Sequence, residues 1–154
     1  MAEVKYPKLN FPPVKLRASR RHGADYVWDS VRGCWLLLTP EEWVRRHALG
    51  WLTGDRGIDS INIIQEYPVS VEGIHQRADI VVTGHGGNPA LLVECKSPGI
   101  AMDSSVLDQA VRYNNVVKAR YIMLTNGLKH YCYVTYNGKD YSALDSPPDL
   151  ADVL

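Results

Sequence analysis

One stretch constrains this chain more than any other: Arg77-Ala78-Asp79-Ile80-Val81-Val82, a Gly-rich turn, then Leu91-Leu92-Val93-Glu94-Cys95-Lys96. Each half is an apolar run of strand length. An acid stands at the start of the first, and an acid and a lysine two residues apart close the second. Side chains alternate along a strand, so Glu94 and Lys96 project to one side and Cys95 to the other. His85-Gly86-Gly87-Asn88 has the composition of a hairpin turn and would bring Asp79 beside Glu94. Two carboxylates and an ammonium then converge at the rim of a buried sheet. Such a set can hold a hard divalent cation on oxygen and set a positive charge beside a phosphate. Taken alone the pattern is loose, because polar residues commonly end strands in solvent.

The rest of the chain supplies elements to pack on that pair. Tyr26-Val27-Trp28 and Cys34-Trp35-Leu36-Leu37-Leu38 flank Ser30-Val31-Arg32-Gly33 and read as a hairpin. Thr39-Pro40-Glu41-Glu42 starts a helix: Thr39 as N-cap, Pro40 at the first position, Glu42 closing a capping box. The helix is expected to run to about Leu52, with Val44, Ala48, Trp51 and Leu52 on one face. Glu41 falls on that face and capping does not explain it. Residues 61–71 read as a strand, with Pro68 marking an edge or bulge. Asp103, Ser104 and Ser105 offer an N-cap for a second helix from about Val106 to Lys118. Residues 121–125 form an apolar strand, and Asn126-Gly127 signals a two-residue hairpin with 128–135 returning. The predicted organisation is an arm at 1–23, a domain at 24–136 and a tail at 137–154. Its fold class is α/β (α+β), with a central mixed sheet flanked by helices.

On the second helix Gln109 and Tyr113 lie four apart, on the face of Val106, Ala110 and Val117. They are a polar pair in an apolar stripe, near the rim that holds Glu94 and Lys96. A satisfied amide and an amphipathic tyrosine would look the same.

These residues carry a family resemblance. Thr39 to Arg45, Arg77 to Val81, Leu92 to Lys96, Gln109 to Asn114 and Leu124 to Gly127 occur in an order and spacing similar to the N-terminal nuclease domain of type I restriction enzyme R subunits, in the PD-(D/E)-x-K superfamily. The resemblance covers roughly residues 24–135. It implies a restriction-endonuclease-like fold and Mg²⁺-dependent cleavage of DNA, with Mn²⁺ able to substitute. Asp79 and Glu94, with the backbone carbonyl of Cys95, match the metal ligands, and Lys96 matches the catalytic lysine. Gln109 and Tyr113 match a Q-x-x-x-Y motif, and Glu41 best matches the helical acid. Ala78 stands where some members have proline. Arg77, Arg112 and Lys118 are candidate DNA-phosphate contacts, although a solvated surface explains each equally well.

Composition bounds the partners. Formal net charge is zero, from 17 Lys and Arg against 17 Asp and Glu, so a nucleic-acid surface must be a local patch. Cys34, Cys95 and Cys132 lack C-x-x-C spacing and read as buried thiols of a cytoplasmic protein. No apolar run approaches about 18 residues, so no membrane role is expected. No P-loop is present, so helicase, methyltransferase or specificity subunits of a restriction system would be separate partners beside DNA, with a homodimer a further expectation. The competing reading is a nucleic-acid-binding or assembly module that keeps the fold without cutting. A zinc or thiol enzyme built on His130 and Cys132 is a third, with no further ligand nearby in sequence.

Overall fold

The computed structural model describes residues 6–150 and 154. The parts of the expected arm and tail at 1–5 and 151–153 lie outside it. Three strands, β1 (Ala18–Arg21), β2 (Ala24–Asp29) and β3 (Cys34–Leu37), form a small antiparallel sheet. Helix α1 (Pro40–Gly50) follows, and a wide turn at Trp51–Asp55 continues it, with Arg56 N–H donating to the Trp51 carbonyl. A six-stranded sheet then takes the order β4 (Ile63–Val71), β5 (Ile74–Thr83), β6 (Pro89–Cys95), β7 (Tyr121–Thr125), β8 (His130–Val134), β9 (Ser142–Leu144). All its neighbours are antiparallel except β6 and β7, which run parallel because α2 (Ser104–Val117) crosses between them.

The helices form where the caps say they should. Thr39 Oγ1 accepts from Glu42 N–H at 3.1 Å, and Asp103 accepts from Ser105 N–H at 3.0 Å. Each helix buries its stripe on one face of the large sheet. Val44 and Ala48 of α1, with Leu52 of the turn that continues it, pack with Ile80, Val82, Leu91, Val93 and Cys95. Val106, Ala110, Tyr113 and Val117 of α2 pack with Val81, Leu92, Ile122 and Leu124. The sheet is buried on both sides, which explains why its middle strands are continuous apolar runs instead of alternating ones.

Several expectations change. Part of the arm is structure: residues 18–21 pair with β2, and Leu9 is buried in the α1-side core. Part of the tail is structure too, since β9 pairs with β8 and Leu150 joins the core. The β7–β8 loop has four residues, not two: Thr125 faces His130, and the Asn126 side chain accepts from Leu128 and Lys129 N–H. β5 begins at Ile74, because Glu72 and Gly73, with φ of 50° and 78°, make the tight turn of a hairpin. Cys95 and Cys132 are buried thiols as expected, whereas Cys34 is half-buried; all three are free.

One irregularity positions the site. β4 keeps register from Gln65 opposite Ile80 to Tyr67 opposite Ala78, but Glu66 between them has φ of 52° and drops out of the ladder. Asp79 stands opposite that kink. Across it β5 changes phase: Ile80 packs on the α1 side, but Ala78, two residues earlier, packs with the α2-side cluster.

Candidate functional site

Asp79 and Glu94 meet where β5 and β6 part. Pairing ends at Ile80 opposite Val93, so the next residues on each strand face one another. Both are buried, at 8% and 4% exposure. Asp79 N–H donates to Glu94 Oε1 at 3.3 Å, and Cys95 N–H donates to Asp79 Oδ2 at 2.7 Å. Burial, and then the charge of Asp79, push the Glu94 carboxyl up to about 9; the Asp79 N–H and Lys96 oppose this without prevailing. Glu94 is therefore a carboxylate short of positive charge.

Lys96 lies on the α2 side, as strand alternation requires, and its ammonium donates to Gln109 Oε1 at 3.1 Å. Gln109 Nε2 donates to the Tyr113 hydroxyl at 3.2 Å, and that hydroxyl donates to Gln76 Oε1. Burial, with Glu94 and Asp79 nearby, raises the Tyr113 phenol above its usual range. Four side chains, one from β5, two from α2 and the lysine that follows β6, thus form one relay, neutral up to the ammonium that ends it. Sequence reasoning found three of them. Gln76 was missed because it precedes the apolar run by which the strand was recognised.

The α1 side is ionic. Arg45, 8% exposed, donates to Asp79 Oδ1 at 2.7 Å and to Glu42 Oε2 at 2.6 Å. Glu41 Oε1 and Glu66 Oε1 stand 3.7 and 3.9 Å from the same guanidinium. Burial works to lower its pKa, but Asp79 and Glu42 outweigh it and hold Arg45 above the ordinary arginine value. Glu42 also pairs with Arg46 at 2.8 Å, and Arg46 lies 3.4 Å from Asp29 of β2. The carboxylate expected to finish a capping box is consumed by these two arginines. Glu41 sits at the margin, its side chain 44% exposed, with its carboxyl raised by partial burial and by Asp79. Neither Arg45 nor Glu66 was anticipated. The available signals were a basic residue beside the buried helix stripe and an acid inside a strand.

The remaining expected residues separate. Arg77 is 69% exposed at its side chain and lies 3.8 Å from Glu66. Arg112 is exposed on α2, close enough for its charge to act on Tyr113. Lys118 caps the far end of α2, with φ of 63°, and is not part of this cluster. His130 is occupied structurally, its ring nitrogens 2.7 Å from Thr125 Oγ1 and 2.7 Å from the Asn10 carbonyl, which leaves it no role as a ligand beside Cys132.

Among the described residues, no three His, Cys, Asp or Glu side chains are grouped to hold a metal ion. The oxygen set brought together here is the two carboxylates of Asp79 and Glu94. That suits Mg²⁺, which commonly takes one or two carboxylates and keeps several waters. The uncompensated Glu94 fits a cation, while Arg45 already occupies one oxygen of Asp79.

A mixed sheet with one helix on each face and an acid, acid, lysine rim defines a nuclease-like α+β protein. The chain belongs to the type I restriction enzyme R protein N terminus family, whose model matches residues 40–148. The match starts at α1, so β1–β3 lie outside it. No curated protein matches the chain. No helix among the described residues is long and apolar enough to cross a membrane.

Proposed function

We propose that this chain is a divalent-metal-dependent endonuclease domain that hydrolyses DNA phosphodiester bonds within a cytoplasmic restriction system. The observation that carries this reading is the meeting of Asp79, Glu94 and Lys96 at one end of the sheet. Asp79, Glu94 and the Cys95 carbonyl are the groups that would hold Mg²⁺ or Mn²⁺. Such an ion, when bound, supplies Lewis acidity at the phosphate and acidifies water. Lys96 keeps an ammonium at the reacting phosphate, where a fixed positive charge stabilises the developing oxyanion. Gln109 orients Lys96 through its Oε1, and Tyr113 fixes the Gln109 amide from behind. Glu41, half exposed beside Arg45, is the acid at the solvent margin of the site. Helicase, methyltransferase or specificity subunits are the partners that would direct cutting.

One observation favours the rival, a non-cleaving module of the same fold: Arg45 already supplies Asp79 with a positive charge. A supercoiled-plasmid assay separates the two. We expect nicking with Mg²⁺ or Mn²⁺, and none with EDTA or in Asp79→Ala. Equal cutting by wild type and Asp79→Ala, or no metal uptake by calorimetry, transfers the reading to the rival.

A further inference from the structure

The end of the sheet remote from Asp79 has chemistry of its own. β6 and β7 run parallel from Leu91 opposite Tyr121 to Cys95 opposite Thr125. The acidic cluster sits at the Cys95 end. At the other end, where α2 stops, a cleft of about 700 Å³ opens between the α2 C-terminus, the β5–β6 turn and the segment after β8. Seven residues of β6 separate the two ends, about 20 Å at strand rise.

The lining of this cleft is one-sided in charge. Lys118, Arg120 and Lys139 contribute to it, and no carboxylate among the described residues lines it, although Asn137 Nδ2 donates to Asp140 Oδ2 at 2.7 Å beside it. In a chain of zero net charge this is a local concentration of cations. Tyr136 also lines the cleft and is 82% exposed, with the Arg120 guanidinium 5.7 Å from its ring centre. A buried aromatic would be explained by packing; this one presents its face to solvent beside a cation. Its support is rigid: Thr135 Oγ1 accepts from Gly138 N–H at 2.9 Å, and Asn137 Oδ1 accepts from Lys139 and Asp140 N–H, each at 2.8 Å. The floor is rigid too, because Asn114 is spent on Ala119 and Tyr141. A preorganised ring beside several cations matches an unstacked base with phosphates on either side.

We infer that this cleft binds single-stranded nucleic acid, with a base stacked on Tyr136 and flanking phosphates held by Lys118, Arg120 and Lys139. A duplex is the poorer fit, because its base faces are hidden in the stack. Lys118, expected from sequence as a phosphate contact, keeps that role here, away from the acidic cluster. The inference shares the nucleic-acid class of partner with the reading above but requires neither a metal ion nor cleavage.

Fluorescence anisotropy in EDTA at low salt tests it, using a labelled oligothymidylate and a duplex of equal length. Wild type should bind the single strand more tightly. Tyr136→Ala should weaken single-strand binding by about 5- to 150-fold, the range of one base–aromatic stack, and leave duplex binding unchanged. Lys118→Gln with Lys139→Gln should lower the salt slope for the single strand by about 1.4, or 0.7 per phosphate contact. Lys118, Tyr136 and Lys139 are exposed, so circular dichroism should show all variants folded. Tighter binding of duplex, or wild-type single-strand affinity in Tyr136→Ala, overturns the inference whether or not the chain cuts plasmid. Loss of plasmid nicking with the Tyr136 effect intact overturns only the nuclease reading.

Discussion

The two helices hold the Asp79 cluster by opposite means. α1 reaches it with charge, through a buried chain running Asp29, Arg46, Glu42, Arg45, Asp79. α2 reaches it with neutral hydrogen bonds, through Tyr113 and Gln109 to Lys96. Buried charges cost much to desolvate and leave a large penalty when one partner is lost. A neutral amide or hydroxyl contributes about 1 kcal/mol and can be rearranged cheaply. The α1 side is therefore a fixed frame, and the α2 side is the adjustable one, where a reacting group can be steered.

The largest effect should come from breaking the frame. Arg45→Ala strands Asp79 as a buried anion, leaves Glu42 with Arg46 alone, and should cost about 3–5 kcal/mol of stability, read by urea unfolding. A loss as small as that of an α2 variant would erase the contrast. Lys96→Ala should lower the nicking rate by about 10²–10³ while leaving Mg²⁺ affinity by calorimetry nearly unchanged, because an ammonium is not a ligand.

Glu94 sharpens the contrast through pH. Its carboxyl is raised from 4.5 in the unfolded chain to about 9 in the folded one, so the folded state holds the extra proton between those values. Stability without metal should therefore fall as pH rises through that window. Glu94→Gln should flatten the slope and melt about 2–4 °C higher than wild type at pH 8 in EDTA, the shift that goes with 1 kcal/mol in a domain of this size. Excess Mg²⁺ should then raise the melting temperature of wild type but not of Glu94→Gln. A Tm profile identical to wild type would show that Glu94 is not short of positive charge. The smallest effect belongs to Gln109→Ala, about 1 kcal/mol in unfolding and a milder rate loss than Lys96→Ala.

The same contrast explains what could be read in the sequence. The α2 relay was legible because helix spacing places Gln109 and Tyr113 in the apolar stripe, and strand alternation sends Lys96 toward them. The central strands were legible because burial on both faces makes them continuous apolar runs. The ionic frame was not. A buried arginine is tolerated only through partners 3 to 34 residues away, and Arg45 among charged neighbours resembles any solvated helix face. Glu66 was hidden because its effect comes from a backbone angle. β1 and β9 were missed because Ala-Ser-Arg-Arg and Ser-Ala-Leu carry little apolar signal, and both are edge strands whose partners decide them.

Leu9 has a consequence in time. A Cβ on Gly127 would lie 2.7 Å from the Leu9 side chain, and Asn10 N–H donates to the Gly127 carbonyl at 2.7 Å. The seat for residues 9 and 10 is thus made by a loop synthesised 118 positions after Leu9 (127 − 9). At about 5–20 residues per second, residues 9 and 10 wait roughly 6–24 s before their docking surface exists. Nascent chains halted before Gly127 should leave residues 6–16 open to protease, and chains extended past His130 should close them.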